Sequence, residues 1–378
     1  MTELTEYAVE DVIKLVRRPI RPAAGETYRE IGVRSFGKGI FHKDPVAAEA
    51  IAGKKVFRIQ PGDLIFSNVF AWEGAVAIAS EQERGMIGSH RFMTHQVNVK
   101  VADARYLLHY FYGGPGLNVV RSASPGSAGR NRTLGARTFA TKQIHLPSVT
   151  EQRRIADKLD AAMGSIARVV QLKKESDALV QQHADSLLRS VDQVATLGSA
   201  LRVDQDFVNV SSDEKYAVTG IYSFGKGLIK RPVIQGSETA YPRFARLRKG
   251  QVVMSKLNAW EGALAVVEES FSGTYVSPEY PVFSLNTETA DPEYIGHLLA
   301  WPELWSRLTP RGSMVRRKRT TPATLLATEV PLPSLPEQRR IAERLTLARR
   351  VAEASARQVA DLEVLRKGLL DAAFSGRL

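Results

Sequence analysis

LPSVTEQRRIADKLD (residues 146–160) and LPSLPEQRRIAERLT (residues 332–346) are two versions of one segment, set 186 positions apart. Working outward from them, a second correspondence runs at an offset of 188. It aligns Gly32 with Gly220, Gly37-Lys38-Gly39 with Gly225-Lys226-Gly227, Gly62 with Gly250, the AWEGA of 71–75 with that of 259–263, and Asn98 with Asn286. No gap is needed from 32 to 98, so the change of offset marks a two-residue deletion in a loop of the second copy. Self-similarity on this scale makes the chain two consecutive copies of one structural unit, about 1–191 and 192–378.

Each copy changes texture part-way. Residues 56–79, VFRIQPGDLIFSNVFAWEGAVAIA, alternate short apolar and β-branched runs with Gly, Pro and Asn, the pattern of strands and tight turns. After each LP segment the apolar period becomes three-four. It runs through Ile155, Leu159, Ala162, Ile166, Val169, Leu172, Leu179 and Leu187 in one copy. In the other it runs through Ile341, Leu345, Ala348, Ala352, Ser355, Val359, Leu362, Leu365 and Leu369. Such spacing predicts a helix with a single apolar seam. Ser148 or Thr150, and Ser334 with Pro336, supply the helix starts. Helices of some 40 residues would be rods of roughly 60 Å.

The expected fold is α+β: two similar strand-rich domains (1–145 and 192–331) in pseudo-twofold arrangement, each followed by a helical region (146–191 and 332–378). The two helices pair as an antiparallel coiled coil that spaces the heads, the alternative being an ordinary bundle wrapped around them.

A formal charge of +12 predicts attraction to a polyanion, nucleic acid first. The absence of cysteine removes disulfides, thiolate metal sites and a cysteine nucleophile. His90 and His95 lack zinc-helix spacing, and no metal site is expected. No apolar run approaches membrane-spanning length and the acidic N-terminus is unlike a secretory signal, so a cytoplasmic home is expected.

GVRSFGKG at 32–39 and GIYSFGKG at 220–227 imitate a phosphate loop, yet Gly39 and Gly227 replace the hydroxyl residue that ligates magnesium. Pro45 and Pro232 stand where the following helix would run. No methyltransferase tetrapeptide, carboxylate cluster or Ser-His-Asp set repeats, so the chain reads as non-catalytic.

The candidate DNA contacts come from the duplicated and diverged positions. Lys38 and Lys226, between glycines, either reach a phosphate or decorate a hairpin, and Arg34 and Tyr222 flank them at matched positions. His42 and Lys43 face Lys230 and Arg231, Asn68 faces Lys256, and Phe70 faces Asn258; Asn, Lys and Arg make bidentate contacts to base edges. Arg130 and Arg132, with Arg316, Arg317, Lys318 and Arg319, lie in basic segments before the helices and read as phosphate clamps, the alternative being solvated loops. Trp72 and Trp260 read as core, and Glu73 and Glu261 either pin a turn or accept from cytosine.

SFGKGIF, GDLIFSNVFAWEGA, the doubled LP-x-x-x-EQRRIA and the final AAFSGRL resemble the specificity subunit of Type I restriction-modification enzymes, over essentially the whole chain. The resemblance implies two target-recognition domains reading a bipartite double-stranded DNA target across a helical ruler. Partners would be two adenine methyltransferase (modification) subunits and, in a restricting complex, restriction and translocase subunits. S-adenosylmethionine, ATP and Mg would be bound by those partners, and none by this chain. Pro147, Glu151, Gln152 and Ile155, with Pro333, Glu337, Gln338 and Ile341, carry the family's helix-start motif and would serve scaffold or methyltransferase docking. The two heads align unusually well, which suggests related half-sites. A different class of reading is a structural spacer joining two protein-binding heads, and a third is the same subunit in a methylation-only system.

Overall fold

The computed structural model describes residues 3–126, 132–204, 206–308 and 319–378. Contacts divide the chain into two units, Met1–Leu172 with Arg357–Leu378, and Lys173–Ala356, so each long helix contributes to both.

The first unit is built on a four-stranded antiparallel sheet in the order Val76–Ile78, Leu64–Ser67, Phe92–Val97, Ile13–Val16. All four residues of Leu64–Ser67 are buried, because the strand is covered on both faces. Alternation sends Leu64 and Phe66 into one core with Val76 and Met93, and Ile65 into a second with Ile31, Val33 and Ile59. The first core is closed by the helix Ala104–Tyr112, by Phe139, by Ile155 and Leu159 of the first long helix, and by Leu370 and Ala373 of the second. The second core is closed by strands, among them the hairpin of Ile31–Val33 and Ile40–His42.

The second unit repeats the sheet in the same order: Leu264–Val266, Val252–Met254, Val282–Leu285, Leu201–Val203. Val252 and Met254 again face the helical core, and Val253 the strand core. Its hairpin is larger, Lys215–Ile221 paired with Leu228–Gln235 across an irregularity between Ala217 and Thr219.

The long helices are Val149–Arg189 and Leu335–Phe374. Ser148 caps the first, its Oγ accepting from Glu151 N–H. In the first unit the start of one helix lies against the end of the other, and in the second unit the reverse, so the two run antiparallel. Their seam departs from expectation in mid-helix. Val169, Leu172 and Leu179 are exposed, while Val170, Lys173, Asp177 and Val180 are half-buried; Leu365 is likewise exposed and Arg366 turned inward. From Ile166 the buried line advances by alternating steps of four and three residues, and the apolar side chains do not follow it.

The EQRRIA glutamines bolt each helix to its head. Gln152, fully buried, accepts from Asp103 N–H (2.9 Å) and donates to the carbonyls of Val101 (3.0 Å) and Pro147 (2.8 Å). Gln338 repeats this with Asp291 N–H (2.8 Å) and the carbonyls of Thr289 (2.9 Å) and Pro333 (2.7 Å). Every polar atom so buried is satisfied, which is what burial of an amide requires. Ile155 and Ile341 beside them are core, Pro147 and Pro333 are buried, and the half-buried Glu151 and Glu337 pair with Arg154 and Arg340. Among the described residues no helix is long and apolar enough to cross a membrane.

Candidate nucleic-acid interface

The GKG motif is a hairpin turn. Lys38 N–H donates to Ser35 O (3.4 Å), and the two central residues, Phe36 and Gly37, both have positive φ, as a primed turn demands. Phe224 and Gly225 repeat the geometry. A phenylalanine in the left-handed region costs roughly 1–2 kcal/mol. The turn is held from outside: Phe36 and Gly37 N–H groups donate to the carbonyls of Glu73 and Gly74 in the AWEGA segment, and Phe224 and Gly225 to those of Glu261 and Gly262. Ser35 Oγ donates to Glu73 Oε2 at 2.9 Å, so Glu73 pins the turn.

Glycines mark where an aromatic from the helical side meets the first hairpin and the second AWEGA turn. A Cβ on Gly37 would stand 2.6 Å from the Tyr112 ring, and one on Gly262 2.4 Å from the Trp305 ring. Arg366, stacked over Tyr112 at 5.4 Å, donates to Phe36 O at 2.6 Å.

Lys38 and Lys226 themselves are exposed at the tips. Arg34 stacks over Phe41 (4.8 Å), whose ring lies across Gly32. Beside this stack opens a cleft of about 700 Å³ walled by Phe41, Lys43, Lys54, Lys55, Phe70 and Arg91. It brings together two residues singled out in the sequence, Lys43 and Phe70, with basic ones that were not. Lys54, Lys55 and Arg91 are not marked by the repeat, since the second copy has Pro242, Arg243 and Glu279 at the matched positions. The adjacent pair Lys54-Lys55 was itself the available signal.

Other candidates are engaged within the protein. Lys43 pairs with Glu30 (2.8 Å) and His42 with Glu83 (2.5 Å). Lys256 donates to Pro278 O (2.8 Å), and Arg319 pairs with Glu279 (3.2 Å). Lys230 sits near the Phe271 ring (5.8 Å) and Arg231 lies over Gly220; both are exposed, as are Asn258 and Tyr222. Asn68 is half-buried, its Oδ1 without a partner among the described residues. Arg132 stacks over Trp72 at 5.2 Å. Trp72 and Trp260, expected in the core, are instead half-buried rings whose indole N–H groups donate to the carbonyls of Val69 and Leu257. Arg130, Arg316, Arg317 and Lys318 lie outside the described residues.

Two units with one sheet order, each with a helix bolted on by a buried glutamine, can be compared with solved folds. A chain from a type I restriction-modification system, studied for its complex assembly and conformational transition, superposes with TM-score 0.67 at 20% identity over 100% of both chains. This chain has the type I specificity-subunit fold. The HsdS subunit from Thermoanaerobacter tengcongensis shares that fold (TM-score 0.54, 20% identity, 99% of this chain and 97% of that one). So does the S subunit of the type I system from M. genitalium (TM-score 0.50, 12% identity, 99% and 96%). No family model matches the sequence, and no curated protein matches it significantly. On this fold the exposed candidate chemistry is the duplicated hairpin tip, with Lys38 and Lys226, and in the first unit the basic cleft beside it.

Proposed function

We propose that this chain is the DNA-recognition subunit of a type I restriction-modification complex, without catalysis of its own. Each unit reads one half of a bipartite target in double-stranded DNA and directs adenine methylation, and in a restricting complex cleavage, by partner subunits. Two methyltransferase subunits and the restriction and translocase subunits are the partners, and S-adenosylmethionine, ATP and Mg belong to them. The observation that carries this reading is the doubled unit: one fold and one exposed hairpin presented twice in a strongly basic chain. The full-length likeness to type I specificity subunits supports it.

The two tips are alike, whereas the cleft residues Lys54, Lys55 and Arg91 of the first unit are matched in sequence by Pro242, Arg243 and Glu279 in the second. Half-sites that share an element and diverge next to it fit this pattern. The test is coexpression with the methyltransferase subunit followed by mapping of methylated adenines. Two modified adenines in one interrupted sequence are expected. A chain that supports no methylation and shows no salt-sensitive DNA binding would instead be a spacer between protein-binding heads.

A further inference from the structure

The strain at the hairpin tips is not repaid by burial of the strained side chains in a core. Phe36 and Phe224 adopt φ of 61° and 63°, a conformation that glycine takes freely and phenylalanine does not. The hydrogen bonds that Phe36 and Phe224 make to hold the turn use their backbone groups, which any residue supplies, and not their rings. The rings stay outside the cores, 57% and 63% exposed. Phe224 meets Trp305 edge-on at 6.5 Å, and Phe36 has the Lys38 ammonium 5.9 Å from its centroid. The whole turn Ser35-Phe36-Gly37-Lys38-Gly39 recurs at 223–227, the strained phenylalanine with it, while positions outside the turn differ, Arg34 against Tyr222 and His42 against Lys230.

We propose that Phe36 and Phe224 are wedges that press against the bases of bound DNA, one per half-site. The proposal rests on the DNA-binding reading above and deepens it. A flat apolar ring beside a lysine matches a partly unstacked base step with its phosphates alongside, the target that inserted phenylalanines take in kinked duplexes. Lys38 and Lys226 would then hold the phosphate that flanks the step.

Phe36→Gly and Phe224→Gly, singly and together in the full chain with its methyltransferase subunits, test this against duplexes that the wild-type complex methylates. Glycine relieves the strain, so the melting temperature should hold or rise. Affinity should fall about tenfold per substitution, as for loss of one base-stacking ring, with an unchanged slope of log Kd against log salt because no phosphate contact is removed. 2-Aminopurine placed at the contacted step should lose its binding-induced fluorescence rise. Affinity unchanged in both variants overturns the wedge, and a lower melting temperature makes the rings structural. Loss of methyltransferase co-purification with DNA affinity intact assigns the rings to a protein partner. A wild-type complex that binds no duplex overturns the DNA reading itself, before any substitution is made.

Discussion

At the scale of single residues, comparing the copies separates chemistry from scaffold. His95 is buried between Phe66 and Phe139, with ring centroids 5.4 and 6.4 Å away, and the matched residue in the second unit is Phe283. Burial pushes its pKa down to about 4. Because the folded pKa lies below the unfolded value, the unfolded chain gains protons first as pH falls. Stability is therefore intact above about pH 6.5 and is lost progressively down to about pH 4, by roughly 3 kcal/mol in all. His95→Phe should remove this part of the acid sensitivity of the first unit, read as a smaller fall in melting temperature between pH 7 and pH 4.5. An unchanged pH profile would show that another group carries the acid response. His109 is the contrasting case. Its matched residue is His297, and both ring Nε2 atoms bond the long helix, to Asp160 (2.7 Å) and Thr346 (2.9 Å), so here the duplication preserves a join.

At the scale of elements, what the sequence made legible was whatever depends on pattern and repetition. Helix positions, the strand-rich texture of the heads and the boundary serine at 148 follow from local chemistry that both copies repeat. The azimuth of the helix seam did not follow, because hydrophobicity pointed to Val169, Leu172 and Leu179 while the steady geometric advance of a paired helix carried Val170, Lys173 and Asp177 inward. Nor did the docking of one turn on another, since Phe36 to Glu73 and Gly37 to Gly74 are backbone bonds that leave no side-chain trace. The glutamine bolt lies between these extremes. Its motif was visible, but that one amide satisfies three backbone groups was not. Gln338→Leu strands Asp291 N–H and the carbonyls of Thr289 and Pro333, at a cost of about 1–3 kcal/mol for each buried group left unpaired. A clear loss in denaturant midpoint for the second unit is expected, with Gln338→Glu intermediate because it keeps the acceptor and loses the donors. Equal stability of all three chains would remove the bolt from the account of how helix and head are joined.

For the molecule as a whole, the contact units cut across the order of the copies, and this has a consequence for truncation. The first unit is not finished when the first copy ends. It needs Arg357–Leu378, which return Leu370, Ala373 and Phe374 to its core. Phe374 meets the rings of Tyr106 and Tyr110 at 5.5 and 5.7 Å, and Gly113 and Gly114 leave room for it: a Cβ on either would stand 2.6 Å from Leu370 or Phe374. Deleting residues after Ala356 should therefore destabilise the N-terminal head, although the cut lies at the other end of the sequence. Leu370→Ala alone should cost about 2–5 kcal/mol, the range for emptying a well-packed leucine site. Hydrogen exchange resolved by segment checks this. Protection should collapse in Ala104–Tyr112 and Leu64–Ser67 and persist in Val252–Met254, which belongs to the unit that takes no residue from the deleted stretch. Uniform loss of protection would mean that the chain folds as one cooperative block, and preserved protection at Leu64–Ser67 would mean that the first head stands without its C-terminal cover.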